Sequence, residues 1–185
     1  MMRIQMKSTL LSAIGIVALF SAVTLSSCKE DKCKAVVCAY GGICQDDGSC
    51  ACKIGYEGER CETITREKFK GAWAVIEDGT ASNPASYAVS VENGDNINEV
   101  KIRNFNNIFN AEITATVKGD TIYIAHQPMQ VGEEVKTVEG KGYAVPEAFY
   151  GLHGKLIISY SVTSEDGSVN QYGTGGADNP SIWTK

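Results

Sequence analysis

Residues 113–124 read Ile-Thr-Ala-Thr-Val-Lys-Gly-Asp-Thr-Ile-Tyr-Ile, and this stretch decides the fold class. Ile113, Ala115 and Val117 alternate with Thr114 and Thr116, the period of two that sorts side chains onto the two faces of a strand. Lys118-Gly119-Asp120 then turns the chain into a second strand, Thr121–Ile124. The pattern recurs downstream. Leu156, Ile158, Tyr160 and Val162 alternate with Ile157, Ser159 and Ser161, and Asp166-Gly167 leads into Val169–Tyr172, a strong hairpin signal. Further strands are expected at Ala72–Glu77, Tyr87–Val91, Val100–Asn104, Val135–Tyr143 and Ser181–Lys185. Residues 106–112 and 145–151 read as loops or single helical turns. Eight or nine short strands joined by hairpins imply one antiparallel sheet, and closure into a barrel removes its exposed edges. Residues 66–185 are therefore expected to form an all-β domain, an antiparallel β-barrel that needs no cysteine.

Upstream the composition changes. All seven cysteines lie between residues 28 and 61, and six of them, Cys33, Cys38, Cys44, Cys50, Cys52 and Cys61, crowd a short segment. A segment of about 30 residues buries too little apolar surface to fold unaided, so cross-links must make up the deficit. Six cysteines permit fifteen pairings, and spacing selects none of them. Zinc is a poor fit: there is no Cys-x-x-Cys, and His126 and His153 are remote. Tyr40-Gly41-Gly42-Ile43-Cys44, then Cys50-Ala51-Cys52, then Gly55-Tyr56-x-Gly58-x2-Cys61 resemble the EGF-like family over the whole of residues 33–62. The resemblance implies the pairs Cys33–Cys44, Cys38–Cys50 and Cys52–Cys61, turns at Gly55 and Gly58, and Tyr56 covering a disulfide. Calcium-binding members carry an acidic pattern before the first cysteine. Here Lys29-Glu30-Asp31-Lys32 places an ammonium beside that position, which disfavours calcium.

The N-terminus reads as an export signal. Arg3 and Lys7 precede a mostly apolar run from Leu10 to Val23. That run falls short of the ~20 residues a spanning helix needs. Leu25-Ser26-Ser27-Cys28 resembles the bacterial lipobox. The resemblance implies cleavage after residue 27, acylation of the Cys28 thiol and anchoring in a membrane, with residues 28–32 as a short tether. The Lys-Glu-Asp that follows resembles the export signal of Bacteroidota surface lipoproteins, which implies the outer membrane and exposure at the cell surface. Loss of residues 1–27 removes Arg3 and Lys7 and no acid, taking the net charge from −5 to −7. Such a surface repels phosphate backbones, and no basic stripe compensates, so nucleic acid is excluded as a partner.

Gly71-Ala72-Trp73, at the opening of the first barrel strand, resembles the Gly-x-Trp of lipocalins. It implies an up-and-down eight-stranded barrel with Trp73 at the closed end. The domain is shorter than a typical lipocalin and shows no clear helix before its last strand; small barrels can also be filled by their own side chains. Two uses remain: a surface domain on an EGF-like spacer that binds an extracellular protein or a glycan, or a lipocalin-like carrier of a small hydrophobic ligand. Tyr143, Phe149, Tyr150 and Trp183 read either as packing residues or as the lining of a pocket or barrel mouth, with Phe149, Tyr150 and Trp183 the ligand-binding candidates. Catalytic and cofactor chemistry finds no motif. His126 and His153 have no metal or triad spacing, and no Gly-x-Ser-x-Gly occurs. Gly173-Thr174-Gly175-Gly176 lacks the lysine of a phosphate loop and reads as a flexible hairpin. A non-enzymatic protein without cofactor or metal is expected.

Overall fold

The computed structural model describes residues 31–145 and 154–185. Cys28 and the expected loop at 145–151, with Phe149 and Tyr150, lie outside the described residues, Val145 excepted. The cysteine-rich segment holds two small antiparallel pairs, β1 (Ile43–Cys44) with β2 (Cys50–Ala51) and β3 (Tyr56–Glu57) with β4 (Thr63–Ile64). Disulfides join Cys33 to Cys44, Cys38 to Cys50 and Cys52 to Cys61. Gly55 and Gly58 take φ of 89° and 96°, a region open to glycine at little cost. The Tyr56 ring stacks on Tyr40 at 4.4 Å. Most side chains of this segment are exposed or half-buried, so the covalent links carry its shape.

A short 3-10 turn at Thr65–Lys68 leads into the barrel. Its strands are β5 (Gly71–Glu77), β6 (Ala85–Asn93), β7 (Glu99–Arg103), β8 (Ile113–Lys118), β9 (Thr121–Val131), β10 (Glu134–Ala144), β11 (Lys155–Thr163), β12 (Val169–Tyr172) and β13 (Ser181–Thr184). Neighbours in sequence are neighbours in the sheet from β5 to β11, every pairing is antiparallel, and β13 closes the wall by pairing with both β11 and β5. β12 and β13 share one edge of β11. Tyr172 stands opposite Tyr160 and Ser181 opposite Ile158, so residues 173–180 leave and rejoin the wall opposite the single residue Ser159. The two segments are one interrupted strand, and the barrel has eight strand positions.

This arrangement corrects the reading of Gly173–Gly176 as a hairpin. β12 and β13 do not pair with each other; the excursion between them is pinched at its neck, where a Cβ on Gly173 would lie 2.9 Å from the Cα of Pro180. A second departure concerns β9, which runs to Val131 rather than stopping near Ile124. Gln127 pairs with Val138 and Ile124 with Gly140, so Ala125 and His126 together oppose Glu139 in a bulge. The alternation breaks there and Pro128 follows, which disguises the strand in the sequence.

The alternating side chains of every strand meet inside. Phe69, Trp73, Val75, Ile102, Phe105, Phe109, Leu156, Ile158, Tyr160 and Trp183 are among the fully buried ones. Gly140 and Gly142 point inward opposite Tyr160 and Ile158. A Cβ on Gly140 would collide with the Tyr160 Cβ, so absence of a side chain on β10 makes room for the large ones on β11. At one end Trp73 donates its indole N–H to the Phe69 carbonyl at 2.8 Å, below the 3-10 turn. Lys185 lies over the same indole, 4.3 Å from its centre, and burial holds its amine below the ordinary lysine value.

The disulfide-bonded segment docks at this end. Lys68 forms ion pairs of 2.7 Å with both Glu57 of β3 and Asp120 of the β8–β9 turn. The Arg66 guanidinium donates to the carbonyl of Asn96 at 2.7 Å, and Ile97 fills the space over Gly55.

Candidate functional site

The far end of the barrel holds a carboxylate. Glu77 continues the inward-facing series Trp73, Val75 on β5 and is only 5 % exposed. A buried carboxylate is costly unless its lone pairs are occupied. Here all are: Tyr87 (2.6 Å) and Asn106 (2.9 Å) donate to Oε1, and Tyr160 (2.8 Å) and Ser181 (2.7 Å) donate to Oε2. Burial, and next the charge of Glu77, holds the Tyr87 and Tyr160 hydroxyls well above the ordinary phenol value, so both stay protonated as donors. A second tier completes the network. The Trp183 indole donates to Ser181 Oγ at 2.9 Å, and the Tyr172 hydroxyl accepts from Asn106 and Asn170, each at 2.9 Å.

Asn106 reaches this cluster from a tight turn in which Asn104, Asn106 and Asn107 all have φ between 52° and 58°. Asparagine tolerates the left-handed region better than other non-glycine residues. The conformation is held by the Asn104 amide bonded to the Ala88 carbonyl at 2.8 Å and by Phe105, whose ring meets Tyr160 edge-on at 4.7 Å. Every polar atom of the Glu77 carboxylate is satisfied from within the chain. The cluster is a polar plug, and between it and Trp73 and Phe69 at the other end the inward side chains of the described residues form one buried cluster.

Among the described residues an open groove lies on the outer wall, across β9, β10, β11 and β12. A groove of about 840 Å³ is lined there by Tyr123, His126, Glu139, Lys141, Ser159 and Ser161, with Gln171 and the Gly173–Gly175 turn at its β12 side. It runs on into a second hollow lined by Tyr143 and Ile157. Tyr123 lines both, and also the crevice between the barrel and residues 52–56 of the disulfide-bonded segment. These side chains fall together because they share the outward phase: Tyr123 pairs with Lys141, and Lys141 with Ser159. His126 Nδ1 lies 3.2 Å from Glu139, across the bulge. Tyr123 and Tyr143 are 44 % and 49 % exposed.

Of the sequence-derived candidates, Tyr143 belongs to this groove. Trp183 does not line a rim: it sits on the inward phase of β13 beside Ser181, with 0 % exposure, and packs against Phe105 at 6.0 Å. His126 lines the groove on the bulge. Reading the sequence overlooked Glu77, Tyr87, Asn106, Tyr160 and Tyr172 as one cluster. One signal was available, since continuing the Trp73, Val75 alternation puts a carboxylate on the buried face. Among the described residues no helix is long and apolar enough to cross a membrane, and no group of three or more His, Cys, Asp or Glu could hold a metal ion. Comparison with known proteins gives no match to a family model, a curated protein or a solved structure.

Proposed function

We propose that the protein is a lipid-anchored surface lipoprotein that acts by binding, without turnover, through the outer wall of its barrel. Cys28 carries the anchor, and residues 33–62 form an EGF-like spacer that holds the barrel clear of the membrane. The observation that carries this reading is the mutual packing of the described inward side chains beside an open groove outside. A carrier of the lipocalin kind needs a cavity among inward-facing side chains, whereas here Phe105, Tyr160 and Trp183 meet one another. An extracellular protein or a glycan is the partner class suited to an outer-wall site on an acidic, disulfide-bonded protein.

The test is purification of the full-length protein from its own membranes, followed by intact-mass analysis and organic extraction. The expected result is acyl mass on Cys28, loss of membrane association in Cys28→Ser, and no stoichiometric lipid or pigment in the extract. A tightly bound hydrophobic ligand overturns the binding-by-the-wall reading, and an unacylated N-terminus overturns the anchor.

A further inference from the structure

The groove on the outer wall has a composition that selects among partners. We infer that it binds a linear, uncharged glycan, with Tyr123 as the central stacking platform and Tyr143 as a second; this rests on the outer-wall reading above. Four features of the groove point the same way.

First, the strands that floor the groove have no free edge, and on its β12 side the Gln171 backbone is capped by Thr80, whose Oγ1 accepts the Gln171 N–H at 3.0 Å and whose N–H donates to the Gln171 carbonyl at 3.1 Å. β10 is paired with β9 and β11 along its length, and β11 with β10 on one side and with β12 and β13 on the other. An extended peptide that binds by adding a strand meets no free backbone groups on β10 or β11. Second, the outward side chains of β11 past Ile157 are Ser159, Ser161 and Thr163, three hydroxyls in a row, faced across β12 by the Gln171 amide. Hydroxyls and amides both donate and accept, which suits sugar hydroxyls that do the same.

Third, Tyr123 and Tyr143 sit diagonally on adjacent strands, with Tyr123 opposite Lys141 and Tyr143 two residues on. Their exposed rings present flat apolar faces beside the hydroxyl row, and a pyranose has the matching combination of an apolar C–H face and a polar rim. Fourth, the charges cancel. Lys141 is the groove's ammonium and Glu139 its carboxylate, while the whole chain carries −5. A polyanionic glycan is repelled by the protein as a whole. From Ile157 to Thr163 the floor extends about 20 Å at the usual strand rise, which sets the length of chain it can cover.

The experiment is calorimetric titration of the full-length protein in detergent micelles. The probes are neutral linear glucose, mannose and xylose oligosaccharides from disaccharide to octasaccharide, heparin as a polyanion, and deglycosylated fibronectin as a protein. Affinity for a neutral series should rise with chain length and level off once the chain spans about 20 Å. Tyr123→Ala should weaken it about tenfold or more, as loss of a central aromatic contact does. Tyr143→Ala should weaken it less, and Tyr40→Ala, on the disulfide-bonded segment, not at all. Melting temperatures of all three variants should stay close to the parent's, since each ring is about half exposed.

Tyr123-dependent binding of heparin alone overturns the uncharged ligand. Tyr123-dependent binding of the protein alone overturns the glycan and leaves the outer-wall reading standing. Binding that ignores both Tyr123 and Tyr143, or no binding to any probe, overturns the groove as the site.

Discussion

Replacing Glu77 by alanine removes the acceptor shared by Tyr87, Asn106, Tyr160 and Ser181, whose bonds to it span 2.6–2.9 Å. A hydrogen bond to a charged acceptor contributes about 1.5–3 kcal/mol, and a buried donor left without a partner costs about 1–3 kcal/mol. The four do not add. Asn106 keeps the Tyr160 and Tyr172 hydroxyls within 2.9 Å, and a freed hydroxyl rotates toward another acceptor. A destabilisation of about 3–5 kcal/mol follows, against a total of about 5–15 kcal/mol for a typical domain. Glutamine retains the shape and one acceptor oxygen, so Glu77→Gln should cost only about 1–2 kcal/mol. Chemical denaturation followed by tryptophan fluorescence reads this directly, because Trp73 and Trp183 are the protein's two tryptophans and both are buried in the barrel. A shifted midpoint at constant slope isolates stability from changes in the unfolded chain. An alanine variant no less stable than the glutamine variant, or within about 1 kcal/mol of the parent, would refute the account of Glu77 as the centre of the plug.

The same cluster makes the barrel sensitive to alkali. Folding raises the Tyr87 and Tyr160 pKa values above the ordinary 10.0, so their contribution is complete below pH 10 and is lost as pH climbs beyond it. Each phenol should forfeit about 1.4 kcal/mol by pH 11; melts between pH 9 and 12 should show the decline, and Tyr160→Phe should flatten it. A decline unchanged in Tyr160→Phe would assign it elsewhere. Trp73→Ala should lose about 3–5 kcal/mol through the cavity left under the 3-10 turn, and a variant as stable as the parent would remove Trp73 from the core of that end. Gly140→Ala places a methyl against the Tyr160 side chain and should cost about 1–3 kcal/mol or more by overpacking, measured by the same denaturation. A neutral result would mean that β10 has room to move away from β11.

Strand existence was legible in the sequence because its signal is local. Ile113–Lys118 and Leu156–Val162 alternate strictly, each strand needs one face in the core, and a glycine-bearing turn sets the reversal within a few residues. The cysteine-rich segment was legible as a cross-linked unit for a similar reason: too few apolar residues to fold without covalent help. Which cysteine meets which was a matter of resemblance, since spacing admits fifteen solutions. Tertiary structure alone decided what depends on register between distant strands. Closure of β13 onto β5, the division of one strand into β12 and β13 around residues 173–180, and the bulge at Ala125–His126 leave no periodic trace, because an inserted residue destroys the alternation by which strands are recognised. Glu77 shows the division within a single residue. Its phase on β5 announces a buried carboxylate, but the four donors that make burial tolerable come from β6, the β7–β8 turn, β11 and β13. The groove is non-local in the same way: Tyr123, Lys141, Ser159 and Gln171 become neighbours only when four strands are laid side by side in one register.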